Sequence, residues 1–519
     1  MKDLINSKLA RVSAHAKNIM ADGPVSRRLG LAGLLLILIG NAVFLKYNLT
    51  RSFNFLDMGA FLDAAWRVYT GQRIYQDFIY NSGPVHAYLN VLFFHLFGFG
   101  PTAIWAHLVS VHSLAIVLVF FLIWKRLPVY LTLLITAMTT ASFYWGISFP
   151  WHDQTAHLWG IAGIFILYHE KYFSTRRTSF WAGFFIGLLA GLAFFTKSNL
   201  GAGYCLIFLV GLAMSDHARY TLAGFAGGAL VSAFGGLLMT GSPGAYWRQR
   251  CLLATAIGKD RLPELLKIQN WFVNFYWLPL VLALLNTGPL TRRFLRQLIF
   301  ITCISLMGVL AANTGGMVMP ANISLWGIQV AAVMIYLAEV RPFITSEHLL
   351  RIYFMSRIIM IGLILGLTGL AVRNGLELRT WGYVKWEHIG TYALQTGPLK
   401  GWKCHPFQGR ALDDLTRFIN QRIPLDDDIL NITDMYIIYA QTGRPSYKGV
   451  PTAFMQGYFP APGRQTEEVR AHILANPPDW IIVDLGMLVQ QEDYLGLREF
   501  IKQNYTIVFR TGLYLLLRQ

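Results

Sequence analysis

The hydrophobic positions of this chain fall in long blocks, not in the short alternation of a soluble sheet or the narrow stripe of a surface helix. The blocks lie near 29–46, 103–124, 128–147, 155–170, 180–196, 200–215, 218–239, 271–287, 297–313, 323–340 and 354–372. Runs of about 20 apolar residues are long enough to cross a hydrocarbon core of roughly 30 Å, so the pattern predicts about eleven spans. Lipid offers no hydrogen bonds to an open backbone, so these spans are expected to be helices packed as a bundle. From about residue 375 the pattern changes. DILNIT, DWIIVDL, YTIVF and LYLLL read as short strands, with helical patterns between them in QTEEVRAHILA and EDYLGLREFIKQ. The expectation is a mostly α polytopic bundle over 29–373, preceded by a basic segment 1–28 and followed by a small α/β domain over 374–519.

One segment decides the topology. Residues 84–98, PVHAYLNVLFFHLFG, are apolar but too short to span comfortably, and suit an interfacial or re-entrant helix. With that segment kept on the surface, Arg27, Arg28, Lys125, Arg126, Lys171, Arg176, Arg177, Arg219, Arg292, Arg293, Arg296, Arg341, Arg351 and Arg357 all fall on one side. That is the positive-inside arrangement. If the segment crosses, Lys125 and Arg126 move outside and the arrangement breaks. The N-terminus is therefore expected in the cytoplasm. Loops 47–102, 148–154, 240–270 and 314–322, and the tail after Arg373, are expected outside. No small-residue cleavage site follows the first apolar run, which reads as a retained helix.

Composition agrees with lipid as the main solvent. The 519 residues are 55% hydrophobic and 14% charged, against about 25% charged in a soluble chain. The net charge of +17 sits at the ends of apolar blocks, with no basic groove of interleaved aromatics, so nucleic acid is not an expected partner. The cysteines are Cys205, Cys251, Cys303 and Cys404, without a CxxC or other metal spacing, so no metal site and no cofactor are expected. Cys205 and Cys303 read as packing residues inside spans. Cys251 and Cys404 could both lie outside, as separate thiols or, less favoured, as a disulfide. Gly183, Gly187 and Gly191 form a small-xxx-small face for helix packing.

Candidate chemistry gathers in the outer loops. The first holds Asp57, Asp63 and Asp77, with a Gly83-Pro84 turn before the short apolar segment. Loops this long inside a bundle are disproportionately functional. The second, FPWHDQT, offers His152 and Asp153. Lys197 ends a span on the outer side, and Arg248, Arg250, Lys259, Arg261 and Lys267 crowd the third loop. A carboxylate can act as a general base, and cations can stabilise a leaving phosphate. Each candidate also has a plainer reading. Asp57 and Asp153 could be helix caps. Asp63 shares a helical face with neither Asp57 nor a partner four residues away, and could be a solvated acid. Asp77 and the Asp426, Asp427, Asp428 run could be turns. Lys197 could snorkel, His152 could sit at the interface, His107 and His112 could be packing or polar contacts, and the basic cluster could touch lipid headgroups.

The first loop resembles that of the GT-C glycosyltransferases, in the style of the protein O-mannosyltransferases and the aminoarabinose transferase of lipid A. The resemblance rests on Asp57 shortly after the first span, an amphipathic run ending at Gly71, then Tyr75, Gln76 and Asp77, then Gly83 and Pro84. GLLAGLAFFTKSNLG (187–201) looks like the Gly-rich helix ending in lysine of that group. The resemblance implies an inverting transferase that moves a sugar from a polyprenyl-phosphate donor to a glycan, lipid or protein acceptor. It would work on the periplasmic side of a bacterial inner membrane. Asp57 would be the base, Asp153 the second acid, and Lys197, Arg248, Arg250, Asp63 and His152 substrate contacts. Two positions depart from the group: Asp57 is followed by Met58 where a second carboxylate is usual, and Ser82-Gly83 replaces a basic residue before the proline. Two other readings stay open, a non-catalytic assembly subunit and a transporter or flippase for lipid-linked sugars. The second would be expected to show broken midplane helices and inverted repeats, and the sequence shows neither.

Overall fold

A computed structural model describes residues 24–51, 53, 55, 57–80, 82–144, 149–249, 277–286, 292–314, 324–344, 346–376, 390–452, 464–485, 488 and 495–519. Among the described residues, 73% are helical. In order, the bundle contains α1 Pro24–Leu49, α2 Asp57–Tyr69, α3 Pro84–Phe97, α4 Pro101–Ile123, α5 Val129–Phe143, α6 His152–Tyr168, α7 Arg176–Thr196, α8 Ser198–Ala213, α9 Ala218–Met239, α10 Trp277–Leu285, α11 Arg292–Thr314, α12 Trp326–Val340 and α13 Glu347–Leu376. Local sequence explains several starts. Pro84 and Pro101 occupy the first turns of α3 and α4, where a missing N–H costs nothing. Thr175 and Thr178 form a reciprocal capping box at α7.

Among the described residues, five helices are long and apolar enough to cross a membrane: Ser26–Leu49, Pro101–Ile123, Arg176–Thr196, Ala218–Met239 and Glu347–Arg373. Five shorter apolar helices accompany them, including Pro84–Phe97 and Trp326–Val340. The several apolar helices agree with an integral membrane protein; the expectation of about eleven spans is more specific than the described residues establish. The expected span at 271–287 lies partly outside the described residues.

The glycine face of α7 packs on α9. A Cβ added at Gly183 would fall 2.0 Å from the Thr221 carbonyl oxygen, and one at Gly187 would fall 2.1 Å from that of Phe225. Only glycine lets the two backbones approach so closely. α12 is buried on nearly every face, from Trp326 to Val340, as expected of a helix that is hydrophobic all round.

The tail forms β1 Tyr392–Ala393, β2 Lys403–Cys404, α14 Pro406–Arg422, β3 Ile429–Asn431, α15 Ile438–Thr442, α16 Arg464–Ala475, β4 Trp480–Asp484, α17 Arg498–Asn504, β5 Thr506–Thr511 and β6 Tyr514–Arg518. The last four strands make one mixed sheet ordered β3-β4-β6-β5. β3 runs parallel to β4, with Ile429 opposite Trp480. β4 and β6 are antiparallel, with Ile482 opposite Leu516. Alternate residues serve two cores. Ile481, Val483, Leu515 and Leu517 pack with Val469, Ile473 and Ile501. Trp480, Ile482 and Leu516 join Leu412 and Leu415 in the cluster that continues into the bundle. Trp402 fastens the tail to the membrane helices. Its ring meets Phe53 at 5.3 Å and its Nε1–H donates to the Leu49 carbonyl. Cys404 is buried and unbridged. Cys251 lies outside the described residues. Asp427 accepts from Trp480 Nε1 at 2.9 Å, in a turn that precedes β3.

Candidate active site

The first turn of α6 carries HDQT and points it inward. Asp153 is 3% exposed. Lys197 Nζ lies 2.6 and 2.7 Å from its two carboxylate oxygens. His152 Nε2 lies 2.8 Å from Oδ1, and Trp151 Nε1 donates to the same oxygen at 3.1 Å. Lys197 occupies the extended break between α7 and α8, with φ −149 and ψ 106, which turns its side chain toward α6. A charge buried this deeply is tolerated only with a counter-charge and good hydrogen bonds. Both are present, and a buried ionisable pair of this kind is a functional-site candidate.

Asp57 arrives on a different element. It is the first residue of α2, and Phe61 lies four residues on, on the same helical face. The Phe61 ring stands 4.8 Å from that of His152, 5.8 Å from Trp151 and 5.2 Å from His86. Asp57 is thus one turn, about 6 Å of helix rise, from the ring that touches the start of α6. Met58, where a second carboxylate is usual in the resembling group, is buried in the hydrophobic core.

The Gly-Pro turn docks beside Lys197. Gly83 N–H donates to the Thr196 carbonyl at 3.1 Å, and a Cβ at Gly83 would fall 1.9 Å from the Phe195 oxygen. Tyr75 holds this turn from the other side: its hydroxyl donates to the Ser82 carbonyl, from a backbone with φ +66. That conformation is uncommon for a side-chain-bearing residue and recurs where function constrains a loop. Asp77 accepts from the Arg73 N–H at 2.7 Å, in keeping with its reading as a turn.

Asp63 requires a correction. The sequence reading gave it no partner four residues away, but Arg67 is that partner, at 2.8 Å, with both side chains 2% exposed. Ser446 Oγ donates to the other carboxylate oxygen at 2.8 Å. Arg67 also donates to the Tyr447 carbonyl at 2.6 Å, and Trp66 Nε1 to that of Arg444 at 2.7 Å. Asp63 therefore sits in a clasp between α2 and the C-terminal domain, not in solvent. Arg248 is exposed, on the helical segment 243–249. That segment reaches the first loop through Tyr246, whose ring lies 5.1 Å from Tyr75. Arg250, Lys259, Arg261 and Lys267 lie outside the described residues.

Behind the site runs a buried polar chain that includes His107, read from sequence as a packing or polar contact. His107 Nδ1 lies 2.8 Å from Asn90 Oδ1, Asn90 Nδ2 lies 3.3 Å from His86 Nε2, and His86 Nδ1 lies 3.5 Å from Thr155 Oγ1. The spacing of His86 and Asn90, four apart on one helix, was the available signal.

Known structures decide the architecture. Superposition on a crystal structure from Cupriavidus metallidurans, ArnT bound to undecaprenyl phosphate, covers 93% of this chain and 97% of that one, with a TM-score of 0.52 and 13% identity. The chain has the fold of ArnT. A second ArnT structure, in the apo state, matches over the same shares, with a TM-score of 0.52 and 14% identity. ArnT is a GT-C aminoarabinose transferase, so the resemblance first read in the opening loop extends, as fold, over nearly the whole chain. No family model matches, and no curated protein matches.

Proposed function

We propose that this chain is an inverting glycosyltransferase that uses a polyprenyl-phosphate sugar and acts on the extracytoplasmic side of a bacterial inner membrane. The observation that carries this reading is the meeting of α2, which begins at Asp57, with the buried Asp153–Lys197 pair, through Phe61 and His152, in a chain with the fold of ArnT. The ArnT structure with undecaprenyl phosphate supports a polyprenyl phosphate as the donor's lipid part. In the proposed reaction Asp57 takes the proton of an acceptor hydroxyl as that oxygen bonds to the anomeric carbon. The bond from the anomeric carbon to the phosphate oxygen breaks, and the polyprenyl phosphate leaves with the electron pair. Lys197, steered by Asp153, and Arg248 stabilise the charge gained by the phosphate. His152 positions Asp153. The C-terminal domain, clasped to α2, helps select the acceptor. The buried Met58 is the observation that favours the second reading, a non-catalytic assembly subunit.

The test is a transfer assay. Purified full-length protein is incubated with polyprenyl-phosphate sugars and a total envelope extract, and products are read by mass spectrometry. Consumption of the donor with a glycosylated product supports the proposal. Intact donor under all conditions, with a normal envelope glycan profile in a deletion strain, supports the assembly-subunit reading.

A further inference from the structure

The polar chain behind the site has a direction, and one backbone carbonyl sets it. Asn90 Nδ2 lies 3.1 Å from the His86 carbonyl oxygen. A carbonyl only accepts, so the amide NH2 faces it and the amide oxygen faces His107. His107 Nδ1, 2.8 Å from that oxygen, must then carry a proton. Asn90 Nδ2 also lies 3.3 Å from His86 Nε2, which meets a donor and must be bare. A histidine with a bare Nε2 is neutral and holds its proton on Nδ1. That proton faces Thr155 Oγ1 at 3.5 Å, and the Thr155 hydroxyl donates onward to the Trp151 carbonyl at 3.3 Å. Every link runs one way, from α4 through α3 to the first turn of α6.

His86 stands where the elements that carry the site meet. It is fully buried in the first turn of α3, just after Gly83, whose N–H is bonded to Thr196 beside Lys197. Its ring meets Phe61 of α2 at 5.2 Å and His152 of α6 at 6.2 Å, both edge to face. Phe61 also lies against His152 and Trp151. The ring of α2 nearest the start of α6 is thus seated among three rings, and His86 is the one fixed by the polar chain. The proposed transfer steps give His86 no part.

We propose that His86 is a positioning residue for transfer. As a neutral imidazole with its proton on Nδ1, it fixes α3 to α6 and sets the seat of Phe61, and through it the reach of Asp57 toward the Asp153–Lys197 pair. This inference rests on the transferase reading above. A misplacement of about 1 Å at a reacting group costs on the order of 10²-fold in rate. His86 holds the base side of the site, so its loss is expected in turnover and not in donor affinity.

The experiment has two arms. Full-length protein labelled with nitrogen-15 histidine, in detergent micelles, reports by NMR which ring nitrogen carries each proton; His86→Leu and His107→Phe assign the signals. Both histidines are expected neutral and protonated on Nδ1. Asn90→Asp keeps the side-chain shape but replaces the donor with an acceptor. It is expected to draw a proton onto His86 Nε2 while His107 keeps its proton on Nδ1. In the transfer assay, His86→Leu is expected to lower kcat about 10- to 10²-fold, with the donor Kd close to that of the parent. His86→Asn, whose amide nitrogen reaches about where Nδ1 lay, keeps a donor for Thr155 and is expected to recover much of that loss. Asn90→Asp is expected to lower kcat although no packed volume is removed, and it carries the comparison if His86→Leu does not fold. A parent His86 protonated on Nε2, turnover by His86→Leu or Asn90→Asp equal to the parent, or His86→Asn no better than His86→Leu overturns the positioning role and leaves the transferase reading in place. No transfer by the parent removes the transferase reading and this role with it.

Discussion

Replacing Asp63 with asparagine strands the Arg67 guanidinium in a site where it is 2% exposed. Removing one member of a buried ion pair costs about 3–5 kcal/mol, because the remaining charge stays desolvated. Here the lower part of that range is expected. Asparagine can still accept from Ser446, and Arg67 keeps its bond to the Tyr447 carbonyl and its place over the Phe78 and Tyr439 rings. The double variant Asp63→Leu, Arg67→Met removes both charges at similar volume. It leaves the Tyr447 carbonyl without this donor and the buried Ser446 hydroxyl without its acceptor, a loss of roughly 1–3 kcal/mol for each. The double variant is thus expected to lose less than the sum of the singles Asp63→Leu and Arg67→Met, a coupling that additive contributions would not give. Unfolding in detergent is followed by limited proteolysis of the C-terminal domain, which the clasp ties to α2. Because such unfolding is often irreversible, variants are compared at one fixed heating rate. Single variants within about 1 kcal/mol of the parent, or a double variant whose loss equals the sum of the singles, would refute a charge clasp.

Three other outcomes follow from particular contacts. Gly83→Ala places a Cβ against the Phe195 carbonyl, which backbone movement alone can relieve. It is expected to lower stability by about 1–3 kcal/mol and to reduce transfer by shifting α3 from Lys197, read by melting and by turnover. Burial, with the Asp413 carboxylate nearby, pushes the Cys404 thiol up to about 12. Peptide mapping after alkylation at pH 8 should find Cys404 unmodified until the protein unfolds; rapid native labelling would contradict its placement. Burial also raises Asp434 above the usual carboxylate range, against hydrogen bonds from Tyr514 and Gln408. The folded state then holds the proton more tightly than the unfolded chain. Stability is expected to fall as pH rises from the ordinary carboxylate value to the raised one, and to level off above it. Asp434→Asn should flatten that slope in melting midpoints; an unchanged slope would assign it elsewhere.

The long apolar helices and the C-terminal sheet were legible because their signals are local. DWIIVDL and LYLLL become β4 and β6 through residues that need only a period of two, and Gly183 and Gly187 announce the close packing of α7 on α9. The number of spans was less legible. Several bundle helices are shorter than a full crossing, and α6 opens on the polar HDQT, so hydropathy alone does not delimit them. In the site, sequence pointed to Asp153 and Lys197 as separate candidates, but their pairing depends on the break between α7 and α8. The clasp of Asp63 was missed for a mixed reason. Arg67 was within reach of an i, i+4 reading, while Ser446 and Tyr447 lie nearly 400 positions away and no local pattern connects them.

The proposed base offers the most direct test of the whole account. Asp57→Asn keeps the size of the side chain and removes its capacity to accept a proton at neutral pH. In an assay with a polyprenyl-phosphate sugar and a defined acceptor, kcat is expected to fall about 10²- to 10⁴-fold, with donor binding and melting midpoint near those of the parent. Turnover by Asp57→Asn equal to that of the parent would contradict the assignment, and with it the transfer mechanism built on the meeting of α2 and α6.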